Sequence, residues 1–167
     1  MLAANRTWLY QLVMPPVVYR QVERNDLPAM ARIRAANAGT EAHWFTRISD
    51  YLDGKHRPQQ ALMLRVIFVA VDNDSLIGFV AGHLTRRHGC DGELQWIDVV
   101  PQWRGGGVAS ELLRQMASWF VEQNACRICV NVDPANARAR RFYQRHGAAV
   151  LNEHWLVWDN IASVSGL

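Results

Sequence analysis

Apolar positions along this chain change period several times, and the changes mark its elements. Val17, Val18 and Tyr19 open a β-favouring run over 17–21. After Asn25 and Asp26 the spacing turns helical. Met30 and Ile33 predict an amphipathic helix over 28–38, with Asp26 as its N-cap, Pro28 in its first turn and Gly39 at its end. Trp44, Phe45, Ile48, Tyr51 and Leu52 recur at helical intervals over 40–52. Residues 53–58 read as a loop, and 59–64 fit neither period. Two β-rich runs, 66–72 and 76–84, flank Asn73-Asp74-Ser75, a hairpin signal. A turn over 86–92 leads to a strand over 94–100, which Pro101 ends because proline cannot donate to a sheet ladder. From Val108 to Gln123 the helical period returns in Leu112, Leu113, Met116, Trp119 and Phe120. A strand over 127–132, a helix over 134–146 closed by Gly147, and short strands over 149–153 and 154–158 complete the order β-α-α-β-β-β-α-β-α-β-β.

The stretch 94–113 is the centre of this pattern. Its strand carries apolar residues at 94, 97 and 99 rather than in strict alternation. One extra residue near Gln95–Trp96 restores a single face, which predicts a β-bulge there. Between strand and helix sits Arg104-Gly105-Gly106-Gly107-Val108-Ala109. Glycines let the chain turn tightly and let a ligand approach without a Cβ in the way. The first N–H groups of the following helix have no partner inside it and favour negative charge. Arg104 adds a charge-assisted contact suited to phosphate oxygens. The strand–glycine–helix unit therefore predicts an anion cradle for a phosphate or pyrophosphate.

Composition narrows the picture modestly. Half of the 167 residues are hydrophobic and the formal net charge is +3, as in a single globular domain. Residues 1–16 read as an N-terminal extension and 17–167 as that domain. No apolar run has transmembrane length, and Gln11 breaks the N-terminal apolar stretch, so no membrane association is expected. No basic block is interleaved with aromatics, which argues against a nucleic-acid partner. Three cysteines, an odd count, fit a reducing, cytoplasmic location. Cys126 and Cys129 have C-x-x-C spacing, but residues three apart on a strand face opposite sides. No second ligand pair completes a metal site, so no metal is expected.

The segment V-V-P-x-x-R-G-G-G-V-A resembles the acetyl-CoA binding segment of the GCN5-related N-acetyltransferase (GNAT) family, with Arg104, Gly107 and Ala109 at its specified positions. Downstream, Asn136-Ala137-Arg138-Ala139-Arg140-Arg141-Phe142-Tyr143-Gln144-Arg145-His146-Gly147 resembles the family's N-x-x-A-x-x-F-Y-x-x-x-G segment. The resemblance covers roughly 18–158. It implies an α/β fold: a mixed, mostly antiparallel central sheet with splayed central strands and helices on both faces. It also implies an acyl-CoA-dependent N-acyltransferase that moves acetyl from acetyl-CoA to a primary amine by direct attack.

Site roles follow from the same resemblance. Backbone N–H groups of Arg104, Gly105, Gly106, Gly107, Val108 and Ala109 would hold the pyrophosphate, and backbone groups of Val99 and Val100 would pair with the pantetheine arm like an added strand. Asn136 would hold that arm with its amide; the competing reading is the N-cap of the last long helix. Tyr143 would protonate the departing thiolate, its competing reading being a core tyrosine beside Phe142. Glu93 ranks first as the base for the amine, ahead of Asp98 and His83. Trp44, Phe45, Tyr51, Trp155 and Trp158 would form an aromatic acceptor pocket, with Glu41, Asp50 and Asp53 to meet a cation. Family habit, with Trp155 and Trp158 near the C-terminus, suggests a homodimer. Two other readings stand beside this one. The first is a non-catalytic acyl-CoA-binding module. The second is a nucleotide-binding oxidoreductase, suggested by Gly105-x-Gly107 after a strand and by Asp133 ending the next. Ser110 in place of the third glycine speaks against the latter.

Overall fold

Strand β1 (Val18–Gln21) starts the sheet, and two helices follow it, α1 (Leu27–Ala35) and α2 (Glu41–Leu52). Strands β2 (Ala61–Asp72), β3 (Ser75–Thr85) and β4 (Gly92–Val99) form a meander. The rest is α3 (Val108–Glu122), β5 (Ile128–Asn131), α4 (Ala137–Arg145), β6 (Ala149–Val150), β7 (Trp155–Trp158) and α5 (Ala162–Ser165). This computed structural model describes residues 16–166. The expected extension, 1–16, lies outside them save for its last residue. The seven strands form one sheet in the order β1-β2-β3-β4-β5-β7-β6. Among the described residues only β4 and β5 pair in parallel, so the doubly wound parallel sheet that a dinucleotide fold requires is absent.

Each face of the sheet carries its own core. Leu94, Ile97 and Val99 of β4 face α3, where Leu112, Leu113, Met116 and Phe120 pack with Tyr143 and Trp158. Trp96 faces the other way and joins Leu27, Met30, Ile48 and Tyr51 from α1 and α2. The order of elements agrees with the expected one, with α5 added. The hairpin turn has Asn73 at φ +43° and Asp74 at φ +66°, the left-handed pair that suits the twist of its strands. The ambiguous stretch 59–64 resolves as the start of β2, whose Leu62, Met63 and Leu64 are exposed and so show no burial period. Asp26 does not cap α1 with its side chain. Its carboxylate is instead held by the Arg20 guanidinium at 2.8 and 3.0 Å and by the Glu23 N–H at 2.7 Å. Trp155 and Trp158 are buried within the chain, so neither offers a surface to a second copy.

Two close approaches fix the centre of the sheet. Gly78 admits the Asp98 carbonyl, 2.8 Å from where a Cβ would stand. A Cβ at Gly92 would lie 2.4 Å from Phe120 and 2.7 Å from Ile128. Overpacking of this kind costs about 1–3 kcal/mol. Gly92→Ala is therefore expected to lower the urea midpoint by an amount in that range, at unchanged m-value. A midpoint equal to the parent's would mean that Phe120 moves aside freely.

Candidate active site

The cleft begins where the two parallel strands part. β4 and β5 are in register only at Gly92↔Ile128, Glu93↔Cys129 and Leu94↔Val130. On the other side of β4 the partners run Ala81↔Trp96 and then Gly82↔Leu94, which leaves Gln95 as the extra residue. The bulge expected near Gln95–Trp96 is thus present. A bulge bends its strand and increases local twist, and past it a cleft of about 950 Å³ opens between 95–99 and 130–133.

Backbone accounting shows what that cleft offers. The Val100 N–H bonds to the Ile77 carbonyl at 2.9 Å, and the Val100 carbonyl accepts from the Trp103 N–H at 3.0 Å. Both groups are engaged and Val100 does not line the cleft. The expectation that Val100 pairs with an added strand fails for this reason. Groups along an antiparallel strand alternate in direction, so Val99 and Ile97 turn theirs to the open side. The Val99 carbonyl is taken by Arg104 Nε at 3.0 Å. By the same alternation the Val99 N–H and both groups of Ile97 face the cleft.

The glycine turn closes one end. Gly105 and Gly107 sit at φ +79° and +88°, the left-handed region that favours glycine, and a Cβ at either would meet nothing within 4 Å. Backbone shape, not crowding, is what requires them. Gly107 leads into α3, and the buried Val108 side chain anchors that end of the helix in the core. The first N–H groups of α3 thereby face the cleft, which Gly105, Gly107, Ala109 and Ser110 line. Gly106 and Val108 contribute backbone beside it rather than lining.

Helix α4 forms the opposite wall. Asn136 caps it, Oδ1 accepting from the Ala139 N–H at 3.1 Å. The N-cap reading holds; the cap engages the amide oxygen rather than Nδ2, and Asn136 also lines the cleft. His146 bridges the Phe142 carbonyl at 2.8 Å and Ser110 Oγ at 3.0 Å, tying α4 to the start of α3. Tyr143 packs edge-on against Trp158 at 5.6 Å and lines the cleft. Burial pushes its phenol above the ordinary tyrosine range, the Asp98 carboxylate adds to this, and Arg34 opposes it. A hydroxyl in that state keeps its proton.

Glu93, nearly buried, and Asp98 lie on the α1–α2 side of β4 and reach the same cleft. Asp98 accepts from Arg34 at 2.9 Å and from Asn37 at 3.1 Å. Burial raises its pKa, and the Arg34 charge holds the rise back. The Arg34 guanidinium stacks 4.2 Å above Trp44 and 5.8 Å from Trp96. None of Trp44, Phe45, Tyr51, Trp155 or Trp158 lines the cleft, so the expected aromatic acceptor pocket does not form. Trp44 and Tyr51 pack on Trp96, and the β7 tryptophans are buried on the far side of β5. Arg34, Asn37, Arg138 and Arg145 line the cleft without having been singled out in the sequence. Arg34 stands 64 residues from Asp98, and nothing local marks such a pair. Cys129 lies buried on β5, whereas Cys126 is exposed in the loop that precedes that strand, so the two are not opposite-facing residues of one strand; both are free. Among the described residues no cluster could hold a metal ion, and no helix is long and apolar enough to cross a membrane.

Comparison with known proteins agrees with this geometry. A sequence model described as the acetyltransferase (GNAT) family matches residues 36–148. No curated protein sequence matches the chain. Among solved structures, an acetyltransferase from Thermus thermophilus has a TM-score of 0.68 at 18% identity, over 87% of this chain and 97% of that one. The PaiA N-acetyltransferase of Thermoplasma acidophilum, in complex with coenzyme A, has a TM-score of 0.62 at 16% identity, over 86% and 97%. A ribosomal-protein-alanine N-acetyltransferase from Brucella melitensis has a TM-score of 0.63 at 19% identity, over 84% and 94%.

The glycine turn yields a direct test. A β-branched residue at Gly107 must leave the left-handed region or bear about 1–2 kcal/mol of strain. Gly107→Val is expected to weaken acetyl-CoA binding by about tenfold or more in calorimetry, beyond any change in melting temperature. Unchanged affinity in the folded variant would remove the cradle assignment.

Proposed function

The chain belongs to the GNAT acetyltransferase family, and from that premise we propose that it moves an acetyl group from acetyl-CoA to a primary amine by direct attack. One observation carries this reading: the open side of β4, the glycine turn and Tyr143 all face one cleft. Acetyl-CoA, when bound, supplies an acyl group already activated as a thioester.

The residues present fit that molecule. The N–H groups of 105–109 suit the pyrophosphate, while that of Arg104, expected to join them, is taken by the Pro101 carbonyl at 3.2 Å; the side chains of Arg104, Arg138 and Arg145 add positive charge around the phosphates. The Val99 N–H and the groups of Ile97 suit the amides of the pantetheine arm, and Asn136 Nδ2 donates beside them. Glu93 receives the proton that the amine must lose, its carboxylate oxygens each facing a nitrogen at 3.6 Å without a hydrogen bond. Tyr143 holds a proton at its hydroxyl for the leaving sulfur. Acid–base groups of this kind contribute about 10²–10⁴-fold. Carried through, the reading makes the protein an N-acetyltransferase whose acceptor enters past Arg34, Asn37 and Trp96.

Three measurements test it. Amine-dependent thiol release from acetyl-CoA is expected with members of a primary-amine panel, and its absence across the panel would favour a non-catalytic acyl-CoA-binding module. Tyr143→Phe should lower kcat and kcat/KM together while acetyl-CoA Kd stays within about twofold, since its hydroxyl acts on charge that develops only in the transition state. A fully active variant, with chemistry rate-limiting, would mean that solvent protonates the thiolate. Asn136→Ala should behave oppositely. It should raise Kd and also lower stability by about 1 kcal/mol through the lost cap, read by calorimetry and thermal melting on the same sample.

A further inference from the structure

Behind Glu93 lies a buried polar row. Glu93 on β4 stands directly across from His83 on β3, and Tyr51 of α2 reaches the same ring. Tyr51 Oη and His83 Nδ1 are 3.0 Å apart, and both side chains are fully buried. His83 Nε2 and Glu93 Oε2 face each other at 3.6 Å, and neither atom has a hydrogen-bond partner among the described residues. Buried polar atoms rarely go unpaired. Here two of them stop a few tenths of an ångström beyond hydrogen-bond range of one another.

The direction of this row follows from Tyr51. Burial pushes its phenol well above the ordinary tyrosine range, so it keeps its proton. Among the described residues His83 Nδ1 is the single hydrogen-bond partner of that hydroxyl, so the O–H donates to Nδ1. A neutral imidazole then carries its hydrogen on Nε2, the atom aimed at Glu93. We propose that Tyr51 and His83 are positioning residues for Glu93: Tyr51 fixes the imidazole tautomer, and His83 presents an N–H to Oε2, leaving Oε1 to receive the proton of the amine. The inference rests on Glu93 as the base. In the step it supports, an N–H bond of the amine breaks, an O–H bond forms at Oε1, and the electron pair stays on nitrogen for attack. His83 does not change its charge.

The surroundings are closed enough for one donor to matter. Arg87 faces Oε1 at 3.6 Å. Cys129 of β5 is the cross-strand neighbour of Glu93, and burial keeps it a thiol. Arg65 of β2 lies over the Tyr51 ring at 4.9 Å and binds the His56 carbonyl at 3.1 Å. None of these supplies a hydrogen bond to Oε2, so His83 is the donor within reach. Without Tyr51 the ring is free to take the other tautomer, which turns a lone pair toward the carboxylate and disfavours its ionised form.

The test joins a spectrum to a rate profile, both on the full chain. With ¹⁵N-labelled histidine, the His83 signals, assigned by their loss in His83→Gln, should show hydrogen on Nε2 and none on Nδ1. In Tyr51→Phe a tautomer mixture should appear. The opposite tautomer in the parent protein would overturn the proposal, whether or not any amine is acetylated. In the kinetic arm, kcat/KM against pH is followed with the amine panel. Tyr51→Phe and His83→Leu should move the acid limb upward by about one pH unit, and His83→Gln, which keeps an N–H donor, should bring it back toward the parent position. The KM for acetyl-CoA should stay within about twofold in all three. An unmoved limb in folded variants would overturn the proposal. A limb that persists in Glu93→Gln would overturn the assignment of the base itself.

Discussion

The parting of β4 and β5 is the constraint on which the site depends. Parallel pairing lasts from Gly92 to Leu94 and ends at the unpaired Gln95. Had the register continued, hydrogen bonds would have filled the space that the cleft now occupies. The parted strands stay apart because each is held from its other side. β4 is bonded to β3 along its length, and β5 is bonded to β7 over Ile128–Asn131. Helix α3 packs beneath, and its start supplies the glycine turn at the cleft's end.

Burial divides the chemistry between two faces. The side of β4 toward α3 is apolar and anchors the strand. The opposite side carries Glu93, Trp96 and Asp98, each matched by a group from α1, α2 or β3. A carboxylate withdrawn from water is costly unless it is paired. Asp98 meets that requirement through Arg34 and Asn37. Glu93 meets it only loosely, with long contacts to His83 and Arg87. Glu93, which the family resemblance ranked first as the base, is thus the less tightly held of the two acids.

Much of this was legible in the sequence because it depends on local chemistry. The spacing of Leu94, Ile97 and Val99 announced the bulge, and the glycines announced a turn whose left-handed angles the structure shows at 105 and 107. The start of β2 was not legible, since exposed Leu62, Met63 and Leu64 mimic neither a buried strand nor a helix. Nor was the end of the cleft lined by Arg34 and Asn37, because the Arg34–Asp98 pair joins distant parts of the chain. Counting Trp155 and Trp158 as pocket residues failed for a related reason. β7 turns the two to opposite faces, Trp155 toward Cys90 and Cys129 and Trp158 toward Tyr143, and aromatic content alone does not reveal this. Val100 failed on parity: in an antiparallel strand, adjacent residues point their N–H groups in opposite directions, and its own points to β3.

The open groups of β4 amount to a sheet edge in the middle of a sheet. An ordinary edge lies at the rim, where any extended chain can add to it, and proteins blunt such rims with charge, proline or bulges. This one is bordered by β5, α3 and α4, and it is about as long as Gln95 to Val99. A strand of another protein is too wide to enter, with side chains on both faces and neighbours at each end. A slim chain of amides and methylenes is not. The architecture thus keeps unsatisfied backbone available for a ligand while denying it to self-association.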